Sequence, residues 1–205
     1  MSELSETKEK IFDTFVEMAS TLGYENVTTR DIAKKIGINA ASIYHHFKSK
    51  EKILEFAYEY YSIYQYDNRK SVDEMKKIVE TASAEGIINA FFYSFLSEDQ
   101  RKYVRMVLIT KIIYMRLFQD PLANSVFTSG NASNSEYVVS IFKHGIDVGR
   151  IDSSFDMETF ADVIIGAITM MGIKAFSGAE YEVGQLEQEE RIRALLARLL
   201  STALT

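Results

Sequence analysis

The chain has 205 residues, 47% of them hydrophobic, a formal net charge of −6 and no cysteine. That much apolar material fills a small head and one larger core, which excludes disorder as the main state. The missing cysteines remove disulfides, thiolate zinc sites and cysteine nucleophiles together.

Taken in chain order, Ile11, Phe12, Phe15, Val16, Met18 and Ala19 recur with helical spacing and predict a helix over Glu6–Leu22, closed by Gly23. Thr28 or Thr29 can cap a short second helix, with Asp31 at the capping-box position counted from Thr28. Gly37 can take the left-handed conformation that ends this helix, and Asn39 can cap a third. Ile32, Ala33 and Ile36 share one face of the second helix, while Ile43 and Phe47, four apart, share one face of the third. Two short helices meeting across so tight a turn have the form of a helix-turn-helix, whose second helix enters the DNA major groove.

Ser49 can cap a longer helix over Lys50–Tyr66 with apolar positions Ile53, Leu54, Ala57, Tyr58 and Tyr61. Helices are expected over Val72–Ala84 and, after a break near Gly86, over Ile87–Leu96. Ser97 with Gln100 forms a capping signal for a helix reaching Phe118. Asp120-Pro121 then reads as a stop, and the Gly-, Ser- and Asn-rich stretch through Asn134 as a loop, with or without a short helix around Leu122–Phe127. Three further helices follow, over Ser135–Val148, Met157–Phe176 and Leu186–Leu200. No run alternates as a strand would. The expected fold is all-α: a three-helix head with a helix-turn-helix over residues 1–48, and a larger helical body for dimerisation and ligand binding over residues 49–205.

Charge marks the head. Between Thr28 and Lys52 stand six basic residues, Arg30, Lys34, Lys35, Lys48, Lys50 and Lys52, against Asp31 and Glu51. Concentrated positive charge within an acidic chain argues for local DNA contact rather than nonspecific wrapping. On the third helix Ala40, Ala41, Ser42, Tyr44 and His45 are candidates for the DNA face, with Ile43 and Phe47 turned inward.

Residues 11–54 resemble the DNA-binding head of the TetR family of bacterial transcriptional regulators. The resemblance rests on Thr29, Ile32-Ala33, Gly37-Ile38-Asn39, Tyr44-His45-His46-Phe47, Lys50 and Leu54. Ile36 and Ala41 depart from the family's frequent Ala and Gly without adding charge or proline. The resemblance implies base-edge approach by Ala41, Ser42 and Tyr44, and phosphate contacts by Thr29, Tyr44, His45 and Lys50. Arg30 is a further contact candidate. With the helix-start residues Thr28 and Asn39, and with Ala40, these make up the expected DNA-binding set.

The resemblance also implies a homodimer on a palindromic double-stranded operator, and repression relieved by a small-molecule effector. The helices after Ser135 carry apolar faces broader than one neighbour requires, so one side can meet a second copy. Val138, Ile141, Phe142, Ile164, Ile168 and Met171 are the expected dimer contacts, with burial inside the monomer as the competing reading. An aromatic and methionine-rich body can enclose a partly apolar effector, with Phe91, Phe92, Phe95, Tyr103, Met106, Val107, Thr110, Tyr114, Phe142 and Met170 as candidate lining.

Other chemistry finds no support in the residues. His45, His46 and His144 form no metal-ligand array, and neither a nucleophile elbow nor a phosphate-binding glycine loop is present. No enzyme, metal or cofactor is expected. The N-terminus lacks the pattern of a secretory signal, and Val163–Ile173, bounded by Asp162 and Lys174, is shorter than the roughly 20 residues a membrane helix needs. A cytoplasmic, nucleoid-associated location without a membrane partner is therefore expected. The alternative function is a helical homodimeric adaptor that binds protein instead of specific DNA.

Overall fold

A computed structural model describes residues 5–66, 69–93, 99–175 and 184–205. Among these residues the fold is helical, with a single isolated antiparallel bridge between Ile151 and Leu204. The helices are α1 (Glu6–Leu22), α2 (Thr29–Ile36), α3 (Ala40–His46), α4 (Lys50–Tyr64), α5 (Val72–Thr81), α6 (Ala84–Tyr93), α7 (Gln100–Arg116), α8 (Pro121–Asp147), α9 (Met157–Ala175) and α10 (Gly184–Ser201), with a 3₁₀ turn at Tyr24–Asn26.

Local chemistry explains most helix ends. Thr28 accepts from the Asp31 backbone N–H while the Asp31 carboxylate accepts from the Thr28 N–H, a complete capping box. Gly37, at φ 72°, ends α2 in the left-handed region that a Cβ would strain. Asn39 and Ser49 cap α3 and α4 through their side-chain oxygens, and Ser71 forms a second capping box on α5.

Three boundaries differ from expectation. The break after α5 falls at Ala82–Ser83, because Ser83 accepts from the Gly86 N–H and so places Gly86 inside the first turn of α6. Asp99 caps α7, accepting from the Arg101 and Lys102 N–H groups; Ser97, expected in that role, lies outside the described residues, as do Phe95 and Phe176. The largest correction is α8. The expected loop before Asn134 is helix from Pro121 onward. Asp120 accepts from the backbone N–H groups of Leu122 and Ala123, and Pro121 sits at the first helical position, where its missing N–H breaks no bond. Buried Ala123, with Val126 and Phe127 packed beside it, supplies the tertiary contacts that override the Ser- and Asn-rich composition.

The chain divides into two compact units, which is a different partition from a cut at residue 48. The first combines the described residues of Met1–Asp67 and Glu98–Phe127, so that α4, α7 and the start of α8 join the head. Its core is built from Ile11, Phe12 and Phe15 of α1, Ile32 and Ile43 of the head, Ile53 and Ala57 of α4, and Ile109, Ile112 and Ile113 of α7. The second combines the described residues of Asn68–Ser97 and Thr128–Thr205 around Met75, Ile87, Phe91, Val138, Ile141, Phe142, Ile164 and Leu200. In it Phe142 meets Phe91, Phe155 and Phe160 with ring centroids 5.4 to 5.8 Å apart.

Candidate nucleic-acid interface

The third helix is held from beneath. Ile43 is fully buried and Phe47 nearly so, with Phe47 edge-on to Phe56, which in turn stands edge-on to Phe12. These contacts fix the rotation of α3 about its axis, because residues four apart lie on one face. The opposite face is therefore outward: Tyr44 is 48% exposed, Ala41 and His45 are exposed, and Ala40 and Ser42 are half-buried. The Thr29 and Tyr44 hydroxyls lie 3.2 Å apart, joining the start of α2 to the outer face of α3.

Around this face Arg30, Lys34 and Lys48 are exposed and make no ion pair among the described residues. Two other head cations are already engaged, Lys35 with Glu17 at 2.7 Å and Lys52 with Glu55 at 2.5 Å. The local positive field is thus set by fewer cations than the sequence count, and Lys34 and Lys48 join the candidates. Only their share in the charge run signalled them.

Lys50, expected at a phosphate, donates to the Tyr24 carbonyl at 3.1 Å and stands 4.0 Å from the centre of the Tyr24 ring. Arg116 stacks on the same ring at 4.2 Å. The Tyr24 hydroxyl donates to Glu51 at 3.1 Å, and burial followed by the charge of Glu51 pushes the phenol up to about 12. Tyr24, one turn before the capping box of α2, is therefore fixed by groups from α4 and α7. Thr28 and Asn39 are exposed, with side-chain oxygens committed to helix capping.

The remaining expected residues separate. Tyr103, Met106, Val107, Thr110 and Tyr114 occupy α7 in the first unit; Tyr103 is exposed and the others are half-buried. Phe91, Phe92 and Phe142 belong to the closed aromatic core of the second unit, and Met170 is an exposed residue of α9. Two open pockets beside α10, one lined by Glu187, Arg191, Ile192 and Leu195 and one by Glu85, Asn89, Glu190 and Arg193, contain none of the expected lining residues. Of the expected dimer contacts, Val138, Ile141, Phe142 and Ile164 are fully buried within the second unit itself, which corrects their assignment to an outward face. On α9, Val163 and Met170 turn outward instead, while Ile168 and Met171 are half-buried.

Among the described residues no group of His, Asp and Glu could hold a metal ion, and no helix is long and apolar enough to cross a membrane.

A capped pair of short helices, with an apolar underside and an outward polar face beside exposed cations, defines a helix-turn-helix protein. Residues 11–56 match the bacterial regulatory proteins of the tetR family. The negative transcriptional regulator of the icaADBC biofilm operon, IcaR, from Staphylococcus aureus strain Newman is 31% identical over 99 residues, which cover 48% of this chain and 50% of that protein. The chain thus matches about half the length of these curated relatives. The transcriptional regulator SrpR of Pseudomonas putida is 21% identical over 168 residues, covering 82% of this chain and 74% of that protein. The same fold occurs in the ketosteroid transcriptional regulator KstR2 of Mycobacterium tuberculosis, with TM-score 0.63, 20% identity and coverage of 99% and 97% of the two chains. A transcriptional regulator from Saccharomonospora viridis in complex with choline shares it at TM-score 0.66 and 19% identity, over 94% of each chain.

Proposed function

We propose that this chain is a sequence-specific DNA-binding transcriptional regulator, a repressor that acts as a homodimer on a palindromic operator and is released by a small-molecule effector. The observation that carries this reading is the orientation of α3: Ile43 and Phe47 inward, Ser42, Tyr44 and His45 on the accessible side. Ala40 and Ala41 offer methyl contacts to thymine, Ser42 a hydrogen bond, and Arg30, Lys34 and Lys48 phosphate affinity. Repression is supported by the Staphylococcus relatives, which are negative transcriptional regulators.

Two-fold pairing of heads needs a self-complementary face. Val163 and Met170 on α9 and Leu195 and Leu199 on α10 are large, exposed and apolar, on two helices of one unit, and form the dimer face in this reading. The effector site is assigned to the half-buried side chains Met106, Val107, Thr110 and Tyr114 of α7, which mix apolar surface with hydroxyls. A choline complex in a protein of the same fold supports a small organic ligand. Such a ligand lowers operator affinity only if it prefers the state that does not bind DNA.

The experiment is selection of duplexes from a randomised pool by the purified protein, followed by titration of the winner and a scrambled control at physiological salt. A two-fold symmetric winner, retained over the control and lost on Tyr44→Ala with the fold intact, is the expected result. Equal weak binding to all duplexes overturns the proposal in favour of a protein-binding adaptor.

A further inference from the structure

Three arginines of α7 pair with acids on or just beyond α1 at a nearly constant offset. Arg101 reaches Glu9 at 3.3 Å and Arg105 reaches Asp13, each across 92 residues, and Arg116 reaches Glu25 at 2.7 Å across 91. A constant offset along two helices requires that they run parallel and in register. Arg105 carries the strongest of these contacts. Its guanidinium grips Asp13 through Nε and Nη2 at 2.5 and 2.9 Å, while Nη2 also donates to Glu9 at 2.6 Å. Arg105 is 9% exposed while Asp13 keeps one side in water, so this two-pronged pair fixes position and angle from the buried arginine outward.

The neighbouring rungs are occupied. Glu6 is bound by Lys10 and Glu17 by Lys35, each at 2.7 Å, so a one-turn slip of Arg105 along α1 would displace an existing pair. At the far end, about 16 Å away for eleven helical residues, Arg116 adds Asp120 at 3.1 Å and the Tyr24 ring at 4.2 Å. Tyr58 donates to the same Asp120 carboxylate at 3.0 Å. The second anchor therefore reaches the 3₁₀ turn that feeds the capped start of α2.

We propose that Arg105 and Arg116 are positioning residues for DNA reading: they splint α7 along α1, so that the head, α4 and α7 move as one body. This rests on the proposed regulatory function, but the rigidity itself does not. A loosened head must be ordered on binding, and that entropy is subtracted from affinity.

The cysteine-free chain admits a unique label pair, T21C/V104C, for a spin-spin distance measurement between α1 and α7. One narrow distance is expected, the same with and without the duplex selected by the wild-type protein. Arg105→Gln/Arg116→Gln should broaden it and weaken binding to that duplex on the order of tenfold. Asp13→Asn/Glu25→Gln removes the more exposed partners and serves if the arginine pair fails to fold. A distance that stays narrow in the variants overturns the splint, whether or not the protein selects any duplex. Broadening with unchanged or increased affinity overturns the positioning role.

Discussion

Thr29 and Tyr44 join the two helices of the reading head through hydroxyls 3.2 Å apart, at a point where neither side chain is buried. Because water can replace either partner, the pair contributes little to stability and acts on where the Tyr44 ring points. Tyr44→Phe and Thr29→Ala should each leave the melting temperature within about 1 °C of wild type. Both should weaken operator binding about fivefold, the equivalent of one neutral hydrogen bond near 1 kcal/mol. Melting curves and duplex titration together check this; a large fall in melting temperature would place the pair in the folding core instead.

The head was legible because its signals are local: Thr28 with Asp31, Gly37, Asn39 and the Ile43–Phe47 spacing each act within four residues. The start of α8 was not, since Pro121 is a stop or a start according to whether a cap precedes it, and Asp120 became that cap through neighbours that include Arg116 and Tyr58. Periodicity also identified apolar faces on α8 and α9 without saying which neighbour each meets. Val138 and Ile141 face their own unit, whereas Val163 faces outward. Nothing local marks the pairing of Arg105 with Asp13, because it joins residues 92 apart.

Acid should loosen the first unit. The Arg105 hydrogen bond, chiefly, holds the Glu9 carboxyl below its ordinary value. Burial pushes Asp120 up, but Arg116, the Leu122 N–H and Tyr58 outweigh it and the net shift is downward. A carboxylate depressed in the folded state contributes stability that is present above its unfolded pKa, near 4, and lost as pH falls through the lower folded value. Urea unfolding should therefore give a nearly flat stability from pH 7 to 5 and a steep decline below about pH 4. Asp120→Asn should be less stable at pH 7 and show a shallower decline; a slope equal to wild type would remove Asp120 from the explanation.

Two glycines in helices should respond oppositely to the same change. A Cβ on Gly145 would lie 2.6 Å from Ile151 Cδ1 and 2.8 Å from Val79 Cγ1, so Gly145→Ala overpacks the second unit and should cost about 1 to 3 kcal/mol. Ile151→Val deletes the nearest atom and should recover part of that loss in the double variant. In the single chain Gly166 has open space around its Cβ position, and Gly166→Ala should stabilise α9 by about 1 kcal/mol when both it and its reference carry Met170→Glu to keep the chain monomeric. Denaturant unfolding of these proteins decides it, and similar effects at both sites would contradict the packing described.

The apolar residues of α9 make the sharpest separation between core and interface. Val163 and Met170, seven apart, are 46% and 50% exposed, while Ile164 between them is fully buried. Charge at the first two positions meets water in the single chain, so Val163→Glu and Met170→Glu should retain helicity while shifting sedimentation from dimer to monomer. Operator affinity should fall as the dimer is lost, because two linked heads bind with a shared entropic cost that separate heads meet twice. Ile164→Ala should behave otherwise, lowering stability by about 2 to 5 kcal/mol through the cavity it leaves, without selectively dissociating the dimer. If the two glutamate variants sediment as wild type, Val163 and Met170 do not form the proposed dimer face.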